Sequence, residues 1–275
     1  MQPLVSVLIC SYNAERFIES TLKSVLNQTY KNIEILILDN ASTDKTVSII
    51  QSLTHPNAAI PTSQVRIGPS IRLIQGEKNR GAYPGLNFLL AEAKGKFIAI
   101  NDHDDIWHPE KLKRQINFLQ KNIKYIGCGS SIINRYEAYD KYIFRSQPED
   151  AKVAWHTSLM FRNNGYRYDT SIKVATDFYF IKNILCGNDS SIYNFQEPLV
   201  LRRIFKGTGN LSGQWMKTVS FKDIFKLKIG LPDKLALLNR SLLPQEWVEW
   251  VAMKGLGNNM PSKYSSYLKD MKNAM

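Results

Sequence analysis

Four apolar runs, each followed by a stretch of helical periodicity, dominate the first third of this chain. The runs have the length of strands and are rich in Val and Ile; they are Leu4–Cys10, Ile33–Asp39, Ile71–Gln75 and Lys96–Ile100. Strands that are apolar at every position are typical of a parallel sheet covered on both faces. The sequence therefore predicts an α/β fold, with a mostly parallel central sheet and helices on both faces.

An acidic cluster, Asp102, Asp104 and Asp105, follows the fourth run directly. Ligands of open parallel sheets bind at the carboxyl ends of the strands, where Asp39 also lies. Residues two apart in an extended segment point the same way, so Asp102 and Asp104 would share one side. Two such carboxylates suit Mg²⁺ or Mn²⁺ and leave positions for phosphate oxygens. The alternative is an acidic loop in which Asp105 or His108 caps the next helix.

Charge and cysteine content bear on partners and location. The formal net charge is +12, and the chain has three widely spaced cysteines. The basic residues match no nucleic-acid module, so we expect no nucleic-acid partner. A phosphate-bearing substrate or an anionic membrane surface fits better, although a solvated basic surface without a partner stays open. The odd cysteine count and the lack of a signal-peptide pattern predict a cytoplasmic protein, with a peripheral position on the inner face of the membrane as an option.

Common nucleotide signatures are missing from the sequence. There is no phosphate-binding loop of the G-x-x-x-x-G-K-[ST] type. The run Gly127–Ile132 begins like a dinucleotide fingerprint, but Ile132 stands where the third small residue is needed. Hydride transfer and phosphate-loop hydrolysis are therefore disfavoured.

Three blocks in succession resemble glycosyltransferase family 2, whose members have the GT-A fold. The blocks are Val5–Thr46, Asn79–Ile116 with its acidic D-x-D element, and Ala175–Leu185. The resemblance covers Val5–Ser212, and ordered succession is more specific than any single block. It implies a GT-A domain over residues 1–212, with a nucleotide-binding half (1–105) and an acceptor half (106–212). A basic, mostly helical C-terminal extension over residues 213–275 would follow.

The resemblance also implies roles for single residues. Nucleotide contacts fall on Ser11, Tyr12, Asn13, Asp39, Asn79, Gly81, Asp102 and His103. Asp102 and Asp104 match the D-x-D element that binds ribose and, through Mg²⁺ or Mn²⁺, the diphosphate. Asp177 matches the catalytic base, and Thr176 is expected to cap its helix. Candidate contacts to the diphosphate or the acceptor are Asp105, Trp107, His156, Arg203 and Lys206, and a structural role is the alternative for each.

Two motifs depart from the family pattern. Gly85-Leu86-Asn87 stands where many members have Ala-Arg-Asn, which removes one expected contact near the nucleotide. Arg203-Ile204-Phe205 stands where many have Arg-x-His, so a C-terminal histidine ligand is excluded.

The resemblance implies an inverting, metal-assisted enzyme that moves a sugar from a nucleotide-sugar, a UDP-sugar first, to a hydroxyl of a glycan or lipid-linked acceptor. The alternatives are a nucleotidyltransferase and a non-catalytic module that binds a metal or a sugar nucleotide. The extension mixes lysines with aromatic residues, which fits an anionic membrane, a homodimer contact or a lid.

Overall fold

The computed structural model describes residues 2–54, 70–173, 175–205 and 260–273. The strands are β1 Val5–Ser11, β2 Ile33–Asp39, β3 Ser70–Gln75, β4 Phe97–Ile100, β5 Ile106–Trp107, β6 Gly127–Tyr136, β7 Lys141–Arg145, β8 Asp150–Ala151, β9 Met160–Arg162 and β10 Ile192–Ile204. The helices are α1 Ile18–Leu26, α2 Thr46–Thr54, α3 Ala82–Glu92, α4 Lys111–Lys121, α5 Thr176–Tyr179 and α6 Ser265–Asn273. A π-helical segment, Phe180–Cys186, continues α5.

The ten strands form one sheet in the order β3-β2-β1-β4-β9-β6-β10-β5, with β7 paired to β6 and β8 to β10. The four strands predicted from the apolar runs are parallel to one another. Beyond β4 the sheet is mixed. Strand β9 runs antiparallel to β4 and β6, β5 runs antiparallel to β10, and β6 and β10 are parallel to each other. The predicted α/β fold is confirmed, and its second half is less parallel than expected.

Successive residues of the central strands supply two different cores. In β1, Val7 and Ile9 pack into the cluster that contains residues of α1, α2 and α4, whereas Leu8 packs into the cluster that contains residues of α3 and the π-helical segment. This is the alternation that a pleated strand imposes. Helices therefore cover both faces of the sheet, as the continuous apolar runs predict.

The part of the sheet beyond β4 is less regular. Its longest strand is β10, whose register against β6 shifts on either side of Pro198. Proline cannot donate to the ladder, so a shift at this point relieves the pairing. The long β6–β10 pair joins the distal part of the sheet into one surface.

The last described helix, α6, belongs to the body of the fold. Its Leu268 and Met271 are buried against Ile106 of β5 and Leu201 of β10. The carboxylate of Asp270 lies 3.3 Å from His108 Nε2. The predicted extension therefore ends in a helix that covers core, and the boundary predicted at residue 212 lies outside the described residues.

Candidate active site

The turns after β1 and β2 lie side by side, because the two strands stay in register up to Ser11 and Asp39. Ser11 is buried and its hydroxyl donates to the Leu38 carbonyl at 3.3 Å, so its side chain is not presented to a ligand. Tyr12 is 42% exposed at the start of the turn. Asn13 has a φ of 47° and accepts a hydrogen bond from the Thr43 amide at 2.9 Å. This contact connects the two turns.

Asp39 ends β2 with a buried carboxylate. One oxygen accepts a hydrogen bond from the Ser42 amide at 3.0 Å. The other oxygen, Oδ1, is buried and has no partner among the described residues. An unsatisfied buried acceptor is costly, so this oxygen is where a donor group of a ligand would be most favourable.

The loop of Asn79 and Gly81 is fixed by Asn40, a residue that the sequence analysis missed. Asn40 Nδ2 donates to Asn79 Oδ1 at 2.8 Å and to the Gly81 carbonyl at 3.2 Å, and its Oδ1 accepts from the Arg80 amide at 3.0 Å. Gly81 has a φ of 87°, which a side chain would strain. The Asn-x-Gly element is thus held against the end of β2. The side chain of Asn79 is occupied by these contacts.

The acidic cluster continues from β4 and packs against the end of β1. His103 Nδ1 lies 3.3 Å from the Cys10 carbonyl. Asp105 is buried and accepts a hydrogen bond from the Arg203 amide at 3.1 Å. Burial, followed by the charges of Asp104 and Asp102, raises the pKa of Asp105 well above its usual range. A carboxyl group placed in this way supports the loop. The prediction that Asp105 contacts the diphosphate or the acceptor is therefore wrong.

Arg203 is also a structural residue. The prediction that it contacts the diphosphate or the acceptor is therefore wrong. Its side chain is buried, and its guanidinium donates to the Asp104 carbonyl, to Ser20 Oγ at 2.9 Å and to Thr21 Oγ1 at 3.0 Å. These bonds connect the acidic loop to α1 and leave no exposed face for a phosphate. The neighbouring residue in the strand, Arg202, is half-buried, and its charge acts on Asp102, Asp104 and Asp105. The sequence analysis missed this second arginine.

Asp102 and Asp104 differ in their surroundings. Partial burial alone would raise the pKa of Asp102, but the close contact and charge of His156 and the charge of Arg202 lower it below its usual value. Asp104 is buried, and its carboxylate accepts no hydrogen bond from the described residues. Burial and the charge of Asp102 raise the pKa of Asp104.

The donor set fits a hard divalent ion. Two neighbouring carboxylates, one of them without a hydrogen-bond donor among the described residues, are oxygen ligands of the kind that Mg²⁺ and Mn²⁺ take. Within the described ranges, no group of three or more His, Cys, Asp or Glu side chains converges on one point. An ion held here would therefore take its other ligands from phosphate oxygens and water.

The structure decides between the alternatives for Trp107 and for the helix cap at His108, but not for Lys206. Trp107 is fully buried, with its indole donating to the Thr157 carbonyl at 3.1 Å, so the predicted sugar contact is wrong and the core alternative holds. His108, rather than Asp105, makes the cap-like contact, because its Nδ1 accepts from the Glu110 amide at 3.2 Å. Lys206 lies outside the described residues.

Asp177 stands in the first turn of α5. Its Oδ1 accepts a hydrogen bond from the Phe178 amide at 2.8 Å. The expected cap at Thr176 is wrong: this residue is buried and its hydroxyl donates back to the Ile172 carbonyl at 2.9 Å, while Ala175 occupies the cap position with a φ of 48°. The helix then widens into the π-helical segment, a form frequent at functional sites.

A histidine and two tyrosines fill the space between the acidic loop and α5. His156 Nδ1 lies 3.6 Å from Asp102 Oδ1, and its Nε2 lies 2.8 Å from the Tyr168 hydroxyl. Tyr83 packs against Tyr168 with ring centres 5.3 Å apart, and the main chain of Asp177 hydrogen-bonds the Tyr83 phenol. Tyr83 and Tyr168 were missed, since nothing in the sequence indicates that they meet. Contacts thus run from Asp102 through His156, Tyr168 and Tyr83 to the main chain of Asp177, and the space beside them is the candidate cleft.

A pocket of about 100 Å³ adjoins this cleft at the start of α3. Its lining includes Arg80, Tyr83, Thr170 and Lys173. Arg80 and Lys173 bring positive charge to a lining that is otherwise largely apolar, so the pocket could hold a group with both an anionic and an apolar part.

Comparison with known proteins identifies the relatives of this chain. The sequence profile described as "Glycosyl transferase family 2" matches residues 6–185. The chain is 33% identical over 172 residues to the putative glycosyltransferase EpsE of Bacillus subtilis, covering 60% of this chain and 58% of that protein. It is 30% identical over 198 residues to WfgD of Escherichia coli, a UDP-Glc:alpha-D-GlcNAc-diphosphoundecaprenol beta-1,3-glucosyltransferase, covering 70% of this chain and 73% of that protein. The matches to EpsE, to an uncharacterized glycosyltransferase of Haemophilus influenzae and to TuaG of Bacillus subtilis span 58%, 36% and 43% of those proteins.

Solved structures share the fold at low sequence identity. S. aureus TarS 1-349 in complex with UDP-GlcNAc superposes with a TM-score of 0.59 at 17% identity, covering 98% of this chain and 79% of that one. Mannosyltransferase PcManGT of Pyrobaculum calidifontis, in complex with GDP-Man and Mn²⁺, gives 0.57 at 18% identity, covering 100% and 84%. In the described part of the chain, no helix has the length and apolar character to cross a bilayer.

Proposed function

Because the chain belongs to glycosyltransferase family 2, we propose that it transfers a sugar from a nucleotide-sugar to a hydroxyl of a glycan or lipid-linked acceptor, with inversion at the anomeric carbon. One observation supports the proposal: Asp39 ends β2, the Asp102/Asp104 pair follows β4 at the same edge of the parallel strands, and contacts run from Asp102 through His156, Tyr168 and Tyr83 to Asp177. Asp39 and the Asp102/Asp104 pair suit a nucleoside diphosphate. Asp177 suits an acceptor hydroxyl.

The donor base would lie over the turns after β1 and β2. Asp39 Oδ1, buried and without a partner among the described residues, would accept a hydrogen bond from the N–H of a uracil. The exposed ring of Tyr12 lies on the adjacent turn and would stack on the base. WfgD is named for UDP-Glc, and TarS binds UDP-GlcNAc, which supports a UDP-sugar as donor.

The diphosphate would lie over the acidic loop. Asp102 and Asp104 would hold Mg²⁺ or Mn²⁺, which supplies positive charge to the diphosphate leaving group. PcManGT, which has the same fold, binds Mn²⁺ together with its donor. Arg202 takes the place that the sequence analysis gave to Arg203, because its half-buried charge acts on all three acids of the loop. We infer that Arg202 contacts a phosphate oxygen of the donor.

Asp177 would act as the general base. Its carboxylate removes the proton of the acceptor hydroxyl while the acceptor oxygen bonds to the anomeric carbon. The bond from that carbon to the β-phosphate oxygen breaks on the opposite side, and the electron pair leaves with the diphosphate. Attack opposite to the leaving group inverts the anomeric centre, which requires base and diphosphate on two sides of the sugar. In this proposal the sugar would lie between Asp177 and the diphosphate held at Asp102.

The acceptor is proposed to be a lipid-linked glycan, since WfgD is named for such an acceptor. The basic pocket beside Tyr83 would hold a polar part of it. A cytoplasmic location at the inner face of the membrane would follow from this substrate. The membrane and homodimer contacts predicted for the extension fall chiefly on residues 206–259, which lie outside the described residues.

A nucleotide-binding panel tests the donor assignment. The unfolding temperature is measured with UDP, GDP, CDP and ADP, each with Mn²⁺ and with EDTA. A ligand at a hundredfold excess over its dissociation constant adds about 2.7 kcal/mol to the free energy of unfolding, which is measurable as a shift. UDP with Mn²⁺ should give the largest shift. A larger shift with GDP would contradict the uracil assignment, and equal shifts in EDTA would contradict the metal.

A further inference from the structure

We propose that His156 and Tyr168 are positioning residues that hold the Asp102 carboxylate in the orientation needed for the donor and its metal ion. The inference rests on the proposed function, because it assigns Asp102 to that site. Neither residue needs to touch the substrate for this role. Their effect would reach the donor only through Asp102.

The two ring nitrogens of His156 have different partners. Nδ1 faces Asp102 Oδ1 at 3.6 Å, and Nε2 faces the Tyr168 hydroxyl at 2.8 Å. An ionised carboxylate can only accept, so the Asp102 side of the ring carries the proton. With one proton on the ring, Nε2 accepts from the Tyr168 hydroxyl, and with two protons it donates to the same oxygen. In either state the phenol holds the plane of the imidazole.

Tyr168 is itself held by three contacts from two residues. Its amide donates to Asn87 Oδ1 at 2.7 Å, and its carbonyl accepts from Asn87 Nδ2 at 2.9 Å. Its ring stacks on Phe180 with centres 3.9 Å apart. Asn87 belongs to α3 and Phe180 continues the helix of Asp177, so two elements beside the cleft determine where the phenol points. A hydroxyl on such a ring can orient its neighbour at little entropic cost.

Asp102 needs an external partner of this kind. It stands on a loop after the end of β4, and its side chain is 45% exposed, against 11% for His156. A half-exposed carboxylate can sample several rotamers unless one is stabilised. A histidine–carboxylate contact beside a metal is a common way to fix a ligand, and loss of such a partner typically costs about 10- to 100-fold in metal affinity or activity.

A direct contact between His156 and the diphosphate or the acceptor is the role that the sequence analysis offered. The geometry favours positioning instead, since the ring is largely buried and each of its nitrogens faces a protein group. A ligand could reach a nitrogen only by displacing Asp102 or Tyr168. Tyr83 covers the ring as well, with an edge contact at 6.3 Å between ring centres.

The test measures how much Mn²⁺ is needed for UDP binding in the wild type, Tyr168→Phe and His156→Gln. Tyr168→Phe removes only the hydroxyl and keeps the ring on Phe180. The matched control is Tyr125→Phe, another buried tyrosine whose hydroxyl donates to Asp150 Oδ2 at 3.1 Å outside the cleft. We expect the Mn²⁺ concentration for half-maximal UDP binding to rise about tenfold in both test variants. It should stay unchanged in Tyr125→Phe.

The outcomes separate this inference from the proposed function. A wild type that binds no UDP with Mn²⁺ would refute the proposed donor site and leave the positioning role without a substrate, which overturns both. A wild type with metal-dependent binding and test variants with the same Mn²⁺ requirement would overturn the inference alone. Failure of Tyr168→Phe to fold would also overturn it, because the hydroxyl would then be a structural group.

Discussion

Replacement of Lys111 by Met should stabilise this protein at neutral pH. Lys111 is fully buried in α4. Its Nζ donates to Gln115 Oε1 at 2.8 Å and lies 3.9 Å from the centre of the Trp107 ring. The contacts are favourable to a cation but do not replace water, and burial lowers the pKa of Lys111 from 10.5 to about 7. Lys111 therefore lowers the free energy of unfolding at every pH at which the lysine of the unfolded chain is charged.

The magnitude follows from the two pKa values. Each unit of difference corresponds to about 1.36 kcal/mol, so a drop from 10.5 to about 7 costs about 4 kcal/mol at pH 7. Methionine has a similar length and removes this term. It also leaves Gln115 Oε1 without its donor, which costs about 1–3 kcal/mol. The net gain expected for Lys111→Met at pH 7 is about 1–3 kcal/mol.

The pH dependence gives the sharper measurement. Between pH 7 and 10.5 the unfolded lysine binds a proton that the folded one has largely lost, so the stability of the wild type rises with pH. The advantage of Lys111→Met should shrink by about 2.5 kcal/mol between pH 8 and pH 10. Urea unfolding of both proteins at several pH values measures this difference, with the slope m checked for constancy.

A difference between the two proteins that stays constant over this pH range would refute the reasoning, since it would show that Lys111 titrates normally in the fold. Lys113→Met is the matched control, because Lys113 lies on the same helix and is exposed. Its effect on stability should be small and should not change with pH.

The remaining predictions concern the cleft and α6. Asp177→Asn should lower the transfer rate by about 10²- to 10⁴-fold with UDP affinity kept, whereas Asp102→Asn should lower both; steady-state rates and calorimetric titration separate the two. Arg203→Met should cost about 3–5 kcal/mol in urea unfolding, because it leaves buried acceptors unpaired, and retention of wild-type stability would contradict its structural role. Arg202→Met should change stability little and weaken UDP binding measurably. Deletion of residues 260–275 should lower the unfolding temperature by more than about 5 °C, since it uncovers the apolar edge at β5 and β10; an unchanged melting curve would show that α6 is dispensable.

The first half of the fold could be predicted because its signals are local. The strands from β1 to β4 are mostly apolar, and in the described part of the chain each is followed by one helix before the next strand. That pattern has few other solutions. The second half lacks it: β8 and β9 have two and three residues, and β6 pairs with β10 across a register shift at Pro198. Pairing between distant short segments leaves no periodicity to detect.

The candidate site shows the same limit at the level of single residues. Asp39 and Asp102 could be proposed because each lies at the end of a strand, and Asp177 because it matches the third block of the family pattern. Which of Arg202 and Arg203 faces the cleft could not, since adjacent strand residues point to opposite sides and the sequence does not say which side is which. The contact of His156 with Asp102 was also out of reach, because it depends on the irregular chain between β8 and β9.

The acidic loop lies between two strands whose partners are made at different times. β4 pairs with β1, which precedes it, whereas β5 pairs with β10 and is covered by α6 near the end of the chain. On the ribosome, the first four strands can fold as they emerge and Trp107 can pack against α1, but β5 has no strand partner until β10 is complete. Contacts between distant segments form slowly, and exposed apolar strands favour aggregation. We therefore expect the nascent chain to expose Ile106 and the unpaired edge of β5 for much of its synthesis, which makes this stretch a target for a chaperone.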